Sequence, residues 1–146
     1  MEVNMKFSFE YRRLGEFTYN ILSDPDEIKS YLMKWILREW ESDNREAPDE
    51  HWTVSWMEAL PYMEFALEVI RLEDICPNPD LMSGKDFQMS LQERADEREE
   101  SMLRGVSIEP LLVNRNGLEL MDGYTRYTVL KSYEQYEVYA YLGEIK

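Results

Sequence analysis

The segment Asp122-Gly123-Tyr124-Thr125-Arg126 gathers, within five positions, residue types that hold a phosphate. It follows an apolar run, Leu118 to Met121, and precedes a stretch that reads as a helix from Gly123 to about Tyr133. A strand that turns directly into a helix presents free N–H groups, here those of Tyr124, Thr125 and Arg126, at the positive end of the helix dipole. Thr125 adds a hydroxyl, and Arg126 a planar guanidinium able to grip two oxygens at once. Gly123 permits an unusual backbone angle or the close approach of a ligand. Asp122 can cap the helix. A carboxylate beside a phosphate is repulsive unless Mg2+ bridges them or a hydroxyl donates to it, so Asp122 points to metal assistance or general-base work. On these residues alone, a plain strand-to-helix turn capped by Asp122 is the better account of Asp122-Gly123, and a surface salt bridge is nearly as good an account of Arg126 as phosphate binding.

Other reactive side chains are few. One cysteine, Cys76, excludes an internal disulfide, and with one histidine, His51, it excludes a zinc site of soft ligands. Cys76 reads as a small buried filler and His51 as an incidental surface residue. Glu73 reads as an exposed acid in a short turn. The pairs Trp35/Trp40 and Trp52/Trp56 fall at helix-like intervals and are expected in the core or at a seam. The acidic run Glu93–Glu100, interleaved with Arg94 and Arg98, reads as a solvated helix face.

The positioning elements follow from periodicity. Alternation over residues 3–22 (Met5, Phe7, Phe9, Tyr11) predicts a strand, with a second over Phe17–Leu22 after a turn at Gly15. Asp24, Pro25 and Glu27 make a capping box, and Ile28, Leu32, Trp35, Ile36 and Trp40 then form one apolar helix face to about residue 41. Residues 42–50 read as a loop, and 52–63 as helical up to Pro61. Phe65–Leu72 is an apolar strand, followed by a Cys76-Pro77-Asn78-Pro79 connection. Residues 86–104 are a helix with Phe87, Leu91, Ala95 and Met102 inward, ended by Gly105. Asn116-Gly117 between Leu111–Asn114 and Leu118–Met121 predicts a hairpin, and Glu137–Leu142 is a last strand.

Composition bounds the rest. The 146 residues carry the apolar and charged fractions of a soluble globular protein, without an apolar run long enough to span a membrane and without a secretory leader. The cytoplasm is the expected location. The net charge of -14 is split evenly, -7 in residues 1–67 and -7 in 68–146. Such a surface repels polyanions and argues against direct DNA binding.

Residues 68–146 resemble the ParB/sulfiredoxin-like superfamily. Val69-Ile70-Arg71-Leu72-Glu73-Asp74-Ile75 with Pro77-Asn78-Pro79 is similar to its opening strand and connection. Glu99-Glu100-Ser101-Met102-Leu103, Gly105, and Glu109-Pro110-Leu111-Leu112-Val113 are similar to its helix, glycine and "QPI-V" strand. Leu118 to Tyr127 sits where that family carries "ELxDGxxR". The resemblance implies a nucleotide or phosphate site on Gly123 and Arg126, shared by CTP-switched partitioning proteins, sulfinic-acid reductases, a free-serine kinase and some nucleases. The chain lacks the cysteine and histidine of the reductases' "GGCHR". It has Tyr124 and Thr125 where the kinase-like members have "DGHHR". It stops soon after the last strand, where partitioning proteins continue into a helix-turn-helix.

The expected architecture is α+β. Residues 65–146 form a ParB/sulfiredoxin-like domain with a small mixed sheet and packed helices, and residues 1–64 form a largely helical N-terminal extension. The expected function is binding of a nucleotide or other phosphate ligand by Gly123, Tyr124, Thr125 and Arg126, with Asp122 as base or Mg2+ ligand and with NTP hydrolysis or phosphotransfer as the attached chemistry. An interaction module that has lost its ligand is the alternative, acting with a protein partner or a second copy. A ParB-like nuclease is the third reading.

Overall fold

Three apolar periodicities, over Phe17–Ile21, Lys85–Leu103 and Glu137–Ile145, converge on one core in the computed structural model, which describes residues 7–46 and 54–145. An N-terminal hairpin, β1 (Glu10–Leu14) and β2 (Phe17–Ile21), turns at Gly15. β1 begins at Glu10 rather than near residue 3: Phe7 and Phe9 pack edge-on against Tyr31 instead of joining a ladder. The expectations on residues 1–6 and on His51 and Trp52 lie outside the described residues.

Helix α1 (Pro25–Tyr31) starts as its residues dictate, with the Asp24 carboxylate accepting from Glu27 N at 3.0 Å and proline in the first turn. The capping box is half formed, because the Glu27 carboxylate accepts from Ser8 N instead of reaching back to its own cap. A π-helical turn, Leu32–Ile36, links α1 to α2 (Leu37–Glu46). Ile28, Leu32, Ile36 and Trp40, four residues apart, are all buried. In a regular α-helix such a series drifts by about 120° over its three steps. The wider turn takes up that drift and keeps the line on the core. Trp35 falls off the line and is 52% exposed, which corrects its expected place on the apolar face.

After α3 (Val54–Ala59), strand β3 (Met63–Arg71) leads to the short helix α4 (Pro79–Met82) and the long helix α5 (Lys85–Leu103). Then follow β4 (Leu111–Asn114), β5 (Glu119–Asp122), α6 (Tyr124–Ser132) and β6 (Glu137–Ile145). The sheet runs β3-β6-β4-β5, antiparallel, parallel and antiparallel in turn, so the expected α+β class with a small mixed sheet is what the chain adopts. The β4–β5 connection is four residues, Arg115–Leu118, with Gly117 and Leu118 both at positive φ, rather than a two-residue Asn-Gly turn.

Two apolar clusters flank the sheet. The first joins Leu91, Ala95 and Met102 of α5, Tyr124, Tyr127 and Leu130 of α6, and Phe17, Tyr19 and Ile21 of β2. The second joins Ile28, Leu32, Ile36 and Trp40 to Phe65, Leu112, Met121 and Tyr141. Cys76 is exposed, not buried as expected. Its backbone pairs with β5 (Cys76 N to Leu118 O, Leu120 N to Cys76 O, both 2.9 Å), and alternation along this extended stretch gives the inward position to Ile75. Glu73 is exposed and pairs with Arg71 at 3.3 Å. Among the described residues no helix is long and apolar enough to cross a membrane.

Candidate functional site

The corner between β5 and α6 is shaped by an irregularity in the sheet. Val113 pairs with Leu120, but Leu112 pairs with Asp122, so the register shifts by one residue between them. Directly opposed residues share a face. A regular ladder would set Asp122 opposite Leu111, on the face of the first cluster. The bulge sets it opposite Leu112, on the face of the second, where Trp40 lies. Bulges commonly re-aim a side chain in this way.

Gly123 follows with φ 98°, in the left-handed region, and takes the N-cap position of α6. Asp122 therefore does not cap the helix with its side chain as expected. A Cβ at Gly123 would meet Arg126 Nη2 at 2.8 Å and Leu111 Cδ2 at 2.9 Å, so glycine is required both by backbone angle and by the passage of the arginine.

Asp122 and Arg126 come together, though loosely. Asp122 Oδ1 accepts from the Trp40 indole N–H at 3.3 Å, and Oδ2 lies 4.0 Å from Arg126 Nη2. Nη2 also donates to the Pro110 carbonyl at 3.3 Å. The Arg126 side chain is 12% exposed, and its buried Nε has no hydrogen-bond partner among the described residues. Burial raises the Asp122 carboxyl above its usual range, opposed by the Arg126 charge and the Trp40 hydrogen bond.

The other predicted residues divide. Tyr124 turns its side chain inward: its hydroxyl accepts from Asn78 N at 3.0 Å, donates to Leu120 O at 3.1 Å, and is pushed up to about 12 by burial. It braces the corner from beneath, and its side chain is withdrawn from where a ligand would sit. Thr125 lies half-buried on the first turn of α6.

Four residues at the corner escaped the sequence reading. Glu109, beside the Pro110 that holds Arg126, is hydrogen-bonded by the Tyr31 hydroxyl. Burial raises that hydroxyl, and Glu109 raises it further. Trp40 and Tyr31 come from the N-terminal helical segment. Arg98, on α5, is lowered first by partial desolvation and then by the Arg126 charge, with Glu109, Glu39 and Asp122 opposing. The "EPL" order before β4 was the available signal for Glu109; Trp40 and Tyr31 had none beyond their bulk.

Among the described residues, no three His, Cys, Asp or Glu side chains gather as a metal set. A Mg2+ ion here would draw most of its ligands from phosphates and water.

No family model matches the chain, and no curated protein does. Two solved structures of a pNOB8-like ParB N-domain are similar to it in fold. One has 21% identity and TM-score 0.45, covering 57% of this chain and 31% of the solved one. The other has 25% identity and TM-score 0.43, covering 57% and 29%. The chain thus matches less than a third of the length of either.

Proposed function

We propose that the β5–α6 corner binds the phosphate of a nucleotide or similar ligand, with Gly123 and the first N–H groups of α6 cradling it and Thr125 and Arg126 gripping it. The observation that carries this reading is the buried Nε of Arg126, which has no partner among the described residues. A buried donor without an acceptor costs about 1–3 kcal/mol, and an anion at the helix start would meet that need. Asp122 offers Oδ2 either to a Mg2+ arriving on the phosphates or to an acceptor hydroxyl. NTP hydrolysis or phosphotransfer would rest on that oxygen.

Titration of ATP, CTP and GTP, with and without Mg2+, against the wild type and Arg126→Ala tests the reading. Binding that collapses in the variant is the expected result. No binding by the wild type, or equal binding by both, overturns it.

One observation favours the second reading, an interaction module without a ligand. A groove of about 350 Å³ among the described residues lies elsewhere, between α1, the β3–β6 pair and Arg115, and includes none of Asp122 to Arg126. A nuclease is less favoured, since the charge of -14 repels DNA. Incubation with single-stranded and supercoiled DNA plus divalent metal would reveal cleavage.

A further inference from the structure

The corner holds an arginine with two acids beside it, and left alone these would neutralise one another. Asp122 immediately precedes the Gly123 turn that Arg126 overlies. Glu109 is bonded in sequence to Pro110, whose carbonyl takes Arg126 Nη2. Yet neither acid closes on the guanidinium: the Asp122 contact is at 4.0 Å, the outer limit of an ion pair. Both carboxylates are instead held by one helical segment from outside the corner. Trp40 donates to Asp122 Oδ1, and Tyr31 donates to Glu109 Oε1.

We infer that Trp40 and Tyr31 are positioning residues, which hold the two carboxylates off Arg126 and so keep its guanidinium available to an anion. The inference rests on the phosphate reading above. It gives the N-terminal helical segment a role in that site beyond completing the core.

The geometry that permits this is unusual. Trp40 follows Tyr31 by nine positions, which on a regular α-helix puts them about 180° apart. The π-turn at Leu32–Ile36 between them changes that phase, and both side chains reach one corner. The bulge at Leu112/Val113 supplies the other half by turning Asp122 toward Trp40. Neither donor is a loose surface group, since Trp40 is 2% and Tyr31 9% exposed.

The test uses the full chain and inorganic pyrophosphate as probe. Trp40→Phe removes the indole donor; Asp122 then closes on Arg126 and affinity falls roughly tenfold, the scale of one charge-assisted hydrogen bond. Adding Asp122→Asn in that background restores affinity to within about threefold of wild type, because the amide carries no charge to compete. Weakening that Asp122→Asn does not rescue means that Trp40 is only structural, and overturns the inference. So does unchanged affinity in Trp40→Phe. Tyr31→Phe, which deletes only a hydroxyl, guards against a Trp40 variant that fails to fold, and is expected to weaken pyrophosphate about threefold through Glu109.

A readout without ligand separates this inference from the phosphate reading. The Arg126 Nε–H resonance is expected to move in Trp40→Phe as Asp122 approaches, and to return with Asp122→Asn. If the wild type binds no pyrophosphate but this resonance moves and returns, the holding role stands and the ligand reading falls. If it does not move, the holding role is wrong.

Discussion

Two arginines sit at the two ends of β5, and they are satisfied in opposite ways. Arg115, in the turn before the strand, pairs with Glu68 and lies 3.8 Å from Glu144, with all three side chains about two-fifths exposed. Arg126, just after the strand, is far more buried and far less engaged: one carbonyl, one acid at 4.0 Å, and a buried Nε without a partner among the described residues. Water can satisfy whatever Arg115 leaves open, so its pairing says little about function. Burial removes that option from Arg126, and the shortfall becomes informative.

The contrast can be broken or sharpened by experiment. The largest effect is expected from Arg126→Ala, which should weaken nucleotide binding roughly a hundredfold, whereas Arg115→Ala should leave it unchanged. Calorimetric titration of both variants decides, and a reversed ranking would move the site to the other end of the strand. Next come the glycines of the two turns. Gly123→Ala should cost about 2–3 kcal/mol in urea unfolding, because φ 98° is joined by contacts at 2.8 and 2.9 Å. Gly117→Ala, at φ 76° with nothing within 4 Å, should cost about 1 kcal/mol. Equal costs would mean that the corner is no tighter than the rim.

A smaller effect concerns pH. The Asp122 carboxyl is raised from its ordinary 3.8, chiefly by burial. A group raised on folding contributes stability below its unfolded pKa and loses it as pH rises through the folded value. Asp122→Asn should therefore gain stability relative to wild type as pH rises upward from about 3.8, in urea unfolding followed across that window. A difference that stays flat with pH would place Asp122 in a wetter environment than its contacts imply. The smallest effect belongs to the rim: Glu68→Gln should change stability by at most about 0.5 kcal/mol, and salt should screen even that.

Much of this was legible because it was local. Asp24-Pro25 starts α1 with side chains that need no partner beyond the first turn. The spacing of Leu91, Ala95 and Met102 marks the inner line of α5, and Gly105 adopts the left-handed φ of 87° that ends it. Asp122, Gly123 and Arg126 were singled out by type and order, and they do meet. What escaped depends on pairings remote in sequence. The choice between Trp35 and Trp40 is made by a π-turn that a 3.6-residue period does not contain. The face of Asp122 is set by a one-residue slip against β4, which alternation within β5 alone cannot reveal. Cys76 followed its residue type in the sequence reading, whereas the structure follows the strand beside it.

The π-turn also makes the N-terminal helix respond to length in a way that ordinary helices do not. Drawing Leu32–Ile36 into α-helical hydrogen bonds at unchanged length would rotate everything beyond by about 100°, carrying Trp40 away from Asp122. Deleting one residue from the turn instead removes the extra residue and leaves the flanking segments in phase. A Lys34 deletion is thus expected to keep both its helical circular dichroism and the buried fluorescence of Trp40. For this element at its full length, being a better helix and being the right helix are different requirements.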